Sequence, residues 1–124
     1  MEATMRLKQR KDKGMTDKEF NEHLQAHFDE KNSVGLGELL LFGKEFSRFV
    51  ESDERRNRVL NAITKICGYR TSARDFAKMV SYEEFRKLKG IGEVSALGLR
   101  LFLLYSCGVD WQHPERKVTG IQTT

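Results

Sequence analysis

Gly90-Ile91-Gly92 is the place in this chain best suited to chemistry, and the chemistry is anion binding. Two glycines around one apolar residue permit a tight turn with positive φ and leave the backbone uncovered. A helix that opens at the second glycine has first amide N–H groups with no partner inside that helix. Unpaired amides and the positive end of a helix together suit a phosphate or a carboxylate. Basic groups lie close by in the chain: Arg86, Lys87 and Lys89 precede the turn, and Ser95 follows it. Holding a phosphate oxygen needs no bond to be made or broken. The chain shows no Ser-His-Asp set, phosphate-loop motif or carboxylate pair, so it is expected not to be an enzyme.

Metal and redox chemistry find little support. His23 and His27 stand four apart with Glu19 on the same face, but the sequence places no third ligand beside them. Two exposed histidines is the plainer reading, and no metal or cofactor is expected. Cys67 and Cys107 lie in apolar helical surroundings without a C-x-x-C spacing. They are expected to be reduced core thiols of an intracellular, cytoplasmic protein, nucleoid-associated in a bacterium. The longest apolar run, 99–106, is too short for a membrane span or a signal peptide.

The elements that must hold the turn follow from helical spacing. Thr16 with Glu19 forms a capping box, followed by Phe20, Leu24 and Phe28 at i, i+4, i+8, in a helix ending near 30–32. Leu39, Leu40, Phe42, Phe46 and Phe49 predict a second buried helix, with Gly43 a weak point inside it. Ser52 or Asp53 caps a third, which buries Val59, Leu60, Ile63 and Ile66 and stops at Gly68. Residues 71–77 form a short helical or irregular turn. Ser81 and Glu84 make a second capping box, opening a helix that runs to Lys89 with Phe85 and Leu88 inward. The last helix runs from Glu93 to Cys107 with Val94, Leu97, Leu101 and Leu104 on one face, and Gly108 ends it. No β-type alternation of useful length is present, so the fold class is all-α, with about five helices.

With 124 residues, one domain is the default. It is expected over 16–111, with Trp111 tucked against the body, after a disordered basic arm (1–15, carrying Arg6, Lys8, Arg10, Lys11 and Lys13) and before a flexible tail (112–124). A net charge of +4 fits a nucleic-acid partner only weakly, because many unrelated proteins carry as much.

Leu88, Gly90, Ile91, Gly92, Ala96 and Leu99 together resemble the helix-hairpin-helix family, here over 81–107. In that pattern Leu88 and Ile91 pin the turn to the core, and Ala96 lets the two helices approach, with Gly98 extending the contact. Residues 58–109 further resemble the C-terminal domain of the bacterial RNA polymerase α subunit. Arg58-Val59-Leu60-Asn61, Gly68-Tyr69, Asp75-Phe76, the turn itself and Cys107-Gly108-Val109 carry that likeness. The resemblance implies DNA contacts from Arg58, Asn61, Gly92 and Ser95. This chain departs from it at Val94, where that family has a lysine, and Glu93 beside it would repel a phosphate. Residues 36–101 are also similar to the helical module of RadC-type proteins, through Cys67-Gly68-Tyr69 and the 80–85 segment. Asp110 lies near the position of the catalytic aspartate of helix-hairpin-helix DNA glycosylases, but the chain is too small for a two-lobed base pocket.

The expected function is non-catalytic DNA binding of slight sequence preference, with duplex favoured and RNA not excluded. The expected contact set is Arg58, Asn61, Arg86, Lys89, Gly90, Ile91, Gly92, Val94 and Ser95. The alternative is a helical protein-interaction module using the same turn to dock a partner. Val34-Gly35-Leu36-Gly37-Glu38-Leu39 echoes the 89–94 segment, as either a second hairpin or a plain interhelix loop.

Overall fold

The computed structural model describes residues 16–118; the expected arm at 1–15 and the chain end at 119–124 lie outside the described residues. Six α-helices and one 3-10 turn make up the described chain, with no strand among those residues. In order they are α1 (Asp17–Asn32), α2 (Leu36–Phe42), the 3-10 turn (Glu45–Arg48), α3 (Asp53–Cys67), α4 (Ala73–Met79), α5 (Tyr82–Arg86) and α6 (Gly92–Cys107). The fold is all-α, as the sequence patterning predicts, with six helices where about five were expected.

Local signals set most of the helix ends. The Thr16 hydroxyl accepts from the Glu19 amide at 3.1 Å, and the Glu19 carboxylate accepts from the Thr16 amide at 3.0 Å. Ser81 and Glu84 repeat this exchange at the head of α5. Ser52 and Ser72 accept from the amides of Arg55 and Asp75 and so cap α3 and α4. Gly68 (φ 86°) and Gly108 (φ 65°) stop α3 and α6 in backbone that other residues avoid.

α6 is the centre of the fold. It packs against α1, α3, α4, α5 and the 3-10 turn. Its Ala96, Leu99, Phe102, Leu103 and Cys107 meet Val59 and Ile63 of α3, Phe76 of α4, Phe85 of α5 and Phe46 of the 3-10 turn. Trp111 closes one side of this core. Its ring lies 5.4 Å from the rings of Phe76, Tyr82 and Phe85, and its Nε1 donates to the Val80 carbonyl at 2.9 Å. A smaller cluster joins Phe20 and Phe28 of α1 with Leu24 and Val118. The tail as far as Val118 therefore lies on the body.

Four expectations need correction. The second helix does not run through Gly43. α2 ends at Phe42, Gly43 turns to extended backbone (φ −85°, ψ 148°), and Phe42 is left 77% exposed. The helix before the turn stops at Arg86, so Lys89 lies in the turn and shares no helix face with Arg86; Leu88 is partly exposed rather than a core anchor. The inward face of α6 carries Ala96, Leu99, Phe102 and Leu103, whereas Val94 and Leu97 point outward. A nearly uncharged helix offers several apolar stripes, and tertiary packing chooses among them. Gly98 serves a different contact from the one expected: a Cβ there would lie 2.3 Å from Val50 Cγ2 and 2.7 Å from the Phe49 carbonyl oxygen.

Polar groups tie the helices together from inside. The Asn32 side-chain amide donates to the carbonyls of Phe28 (2.9 Å) and Cys107 (2.8 Å), and its oxygen accepts from the Arg74 amide (3.1 Å). One side chain thus links α1, α4 and the end of α6. Glu45 takes Lys31 Nζ at 2.6 Å on one oxygen and the Ser106 hydroxyl at 2.9 Å on the other. Partial burial of Glu45 opposes its ionisation, but the hydrogen bonds from Lys31 and Ser106 and the charge of Lys31 together hold its carboxyl below the usual 4.5.

Two outcomes follow. Gly98→Ala forces Phe49 and Val50 away from α6 and should lower stability by about 1–3 kcal/mol, read as a lower urea midpoint at unchanged slope. A carboxylate with a depressed folded pKa binds more protons when unfolded, so its contribution is present above about 4.5 and fades as pH falls through the folded value. Thermal melts should therefore hold steady from neutral pH down to about 5 and then drop. Glu45→Gln should lower the melting temperature at neutral pH and make the acid drop shallower; an unchanged acid profile would show that the network contributes nothing.

Candidate functional site

The turn between α5 and α6 spans 87–91. Lys87 caps α5, Leu88 N donates to the Phe85 carbonyl, and Ile91 N donates to the Leu88 carbonyl, both at 3.1 Å. Gly90 (φ 88°) and Gly92 (φ 71°) both adopt left-handed backbone, which glycine enters without the Cβ penalty. The Ile91 side chain is buried and anchors the turn as expected. Beyond it, Gly92, Glu93 and Val94 are exposed, and among the described residues their amides donate to no protein acceptor. They are the head of a 16-residue helix with no side-chain cap.

The groups predicted to surround these amides are partly assembled. Arg58 stands beside the turn: its Cδ is 3.9 Å from the position of a Cβ on Gly90. Its guanidinium pairs with Glu54, and Asn61, one turn along α3, is exposed. Arg86 bridges Glu83 and Glu93, each at 2.9 Å. Hydrogen bonding to Glu83, aided by the charges of Glu83 and Glu93, pushes the Arg86 pKa up and keeps it firmly charged. Lys87 and Lys89 are exposed and carry no ion pair among the described residues.

Two members of the expected contact set are not available. Ser95 is 1% exposed, because it sits on the inward face of α6. The Ile91 amide is occupied by Leu88. The usable amides are therefore those of Gly92, Glu93 and Val94, not Ile91 to Val94. Lys87 was not in the expected set; its position in the basic run before Gly90 was the signal for it.

The echo at 34–39 is a loop that docks inward. Leu36 N donates to the Thr71 carbonyl at 2.7 Å and Gly37 N to the Tyr69 carbonyl at 3.1 Å. A Cβ on Gly35 would lie 2.5 Å from Arg70 Cα, and one on Gly37 2.7 Å from the Tyr69 carbonyl oxygen. These glycines allow backbone to meet backbone, and the amides at the head of α2 are spent on the α3–α4 connection.

His23 and His27 are exposed on α1, and no group of three or more metal-type side chains occurs among the described residues. No helix of the described residues is long and apolar enough to cross a membrane. Scans of family models, curated proteins and solved structures find no match to this chain.

Both cysteines are free thiols. Burial pushes Cys107 up to about 12, and burial likewise raises the half-buried Cys67. At neutral pH the native protein should react with a disulfide reagent far more slowly than a free thiol, Cys67 before Cys107. Both should titrate at once in denaturant; rapid labelling of Cys107 in native buffer would contradict its burial.

Proposed function

We propose that the α5–α6 turn works as a helix-hairpin-helix that grips the phosphate backbone of a nucleic acid, duplex DNA above all. The observation that carries this reading is the exposed, unpartnered amide trio at 92–94 on the same turn as the unpaired Lys87 and Lys89. The amides suit a phosphate oxygen, the lysines supply charge, and Arg58 extends the basic surface along α3 toward Asn61. Glu93 opposes an incoming anion, with its charge partly compensated by Arg86. No catalytic step and no cofactor enter this reading. Phosphate contacts carry no base information, so sequence preference is slight, and affinity at physiological salt is expected on the order of 10⁻⁴ to 10⁻⁶ M. The same amides would accept an RNA phosphate.

A second reading has an observation of its own. Leu88, Val94 and Leu97 are exposed around the same turn, which favours docking of a protein partner over that apolar surface.

Fluorescence anisotropy with labelled single- and double-stranded DNA and RNA at two salt concentrations separates the two. Changing Lys87 and Lys89 together to Glu should weaken duplex binding at least about tenfold and lower the log–log salt slope by about 0.9 per lysine lost. Glu93→Gln should tighten binding. Undiminished duplex affinity in the folded double-lysine variant would count against nucleic-acid binding at this turn. Salt-insensitive capture of a protein, lost in Val94→Ser, would favour the second reading.

A further inference from the structure

The chain concentrates positive charge in one stretch. From Arg55 to Arg74 it holds Arg55, Arg56, Arg58, Lys65, Arg70 and Arg74 and no carboxylate. Most of that stretch is α3, whose own acids, Asp53 and Glu54, lie ahead of it in the first turn. Arg56 serves the fold: it donates to the carbonyls of Val50 (2.5 Å) and Glu51 (2.7 Å) and pairs with Asp53. Arg58, Asn61 and Lys65 stand apart from it. They fall at i, i+3 and i+7 on one face of α3, and all three are exposed. Arg58 pairs with Glu54, an exposed i, i+4 contact that contributes little and yields readily to a phosphate. Lys65 carries no ion pair among the described residues. The near end of this row meets the α5–α6 turn, because Arg58 Cδ is 3.9 Å from the place of a Cβ on Gly90.

We propose that Arg58, Asn61 and Lys65 form a track that carries one nucleic-acid strand onward from the turn, so that the ligand is a continuous polynucleotide backbone rather than an isolated phosphate. This extension rests on the nucleic-acid reading of the turn and adds Lys65, which that reading does not use. Length supports it. At 1.5 Å of rise per residue the row spans about 10 Å. Phosphates of one strand advance about 3.4 Å each along a duplex, so about three of them fit beside the row. The side chains suit them: the guanidinium and ammonium groups take phosphate oxygens, and the Asn61 amide donates to a phosphate or sugar oxygen between them. No carboxylate follows Glu54 on α3, so no charge of that helix opposes a strand lying along the row. An anion held at the turn alone faces the Glu93 carboxylate; a strand that continues along α3 adds attraction without a second repulsion.

Nuclear magnetic resonance of the nitrogen-labelled full chain reads the path directly. A thymidine dinucleotide, with its single phosphate, should shift the amide signals of 92–94 and leave those of 61–65 in place. A thymidine octamer should shift both groups. Lys65→Gln should weaken duplex binding several-fold and lower the log–log salt slope by about 0.9, with circular dichroism unchanged because the side chain is exposed. Lys18→Gln, which removes another exposed cation from α1, should leave both quantities as they were. Shifts confined to the turn with both oligomers, or equal losses from the two substitutions, would overturn the track and leave the reading of the turn standing. Movement at 61–65 without movement at 92–94, or as large with the dinucleotide as with the octamer, would overturn the joined path. An octamer that moves neither place would remove the nucleic-acid reading and the track with it.

Discussion

α6 holds only two ionised side chains, Glu93 and Arg100, in sixteen residues, and a helix of that composition has to be covered on most of its circumference. The other elements are arranged to do this. α3, α4, α5 and the 3-10 turn each bring aromatic or branched side chains to it, and α1 is held against its far end through Asn32. Burial of these surfaces is the main favourable contribution to the fold. The cover is incomplete at the first two turns of α6, where Val94 and Leu97 remain outside. The end of the helix that carries the free amides is thus also the end the protein leaves uncovered.

Two segments of nearly the same sequence show how context decides the fate of a helix head. Gly35-Leu36-Gly37 and Gly90-Ile91-Gly92 both open helices, and both place an apolar residue in the core. At the first, φ of Gly35 is −62° and the amides of Leu36 and Gly37 meet the carbonyls of Thr71 and Tyr69. The absence of a Cβ there lets another stretch of backbone approach. At the second, both glycines take positive φ and no protein carbonyl comes to the amides of 92–94. The first pair shows that such amides in this protein do take oxygen acceptors at ordinary hydrogen-bond length. At the second, water or a ligand has to supply them.

How much of this was legible in the sequence divides along range. Both capping boxes, the stops at Gly68 and Gly108 and the inward turn of Trp111 were readable, because each is decided within a few residues or by one large apolar side chain. The position of the α5–α6 turn was readable for the same reason. The inward face of α6, the exposure of Phe42 and the burial of Ser95 were not. They depend on partners far along the chain, and the periodicity of an almost wholly apolar helix does not choose between stripes. The Glu45–Ser106 and Asn32–Cys107 hydrogen bonds join residues 61 and 75 positions apart, so no local pattern marks them. Sequence could locate the candidate site; it could not say which of its amides were already taken.

The charges around the turn stabilise the unliganded form. Glu93 in the first turn of α6 is favourably placed against the helix dipole, and through Arg86 it also connects α6 to Glu83 on α5. An exposed ion-pair pair of this kind is worth little singly, but here it spans the two helices that define the turn. An anion arriving at the 92–94 amides would meet a carboxylate already sharing their positive field. It would have to draw Arg86 toward itself or bind against a residual repulsion. The lysines on the turn offset this without pairing to either glutamate. Under the nucleic-acid reading, two unpaired lysines set against one exposed carboxylate would give modest affinity with a shallow dependence on salt, about 0.9 in log–log slope per lysine engaged, because salt screens the attraction and the repulsion alike.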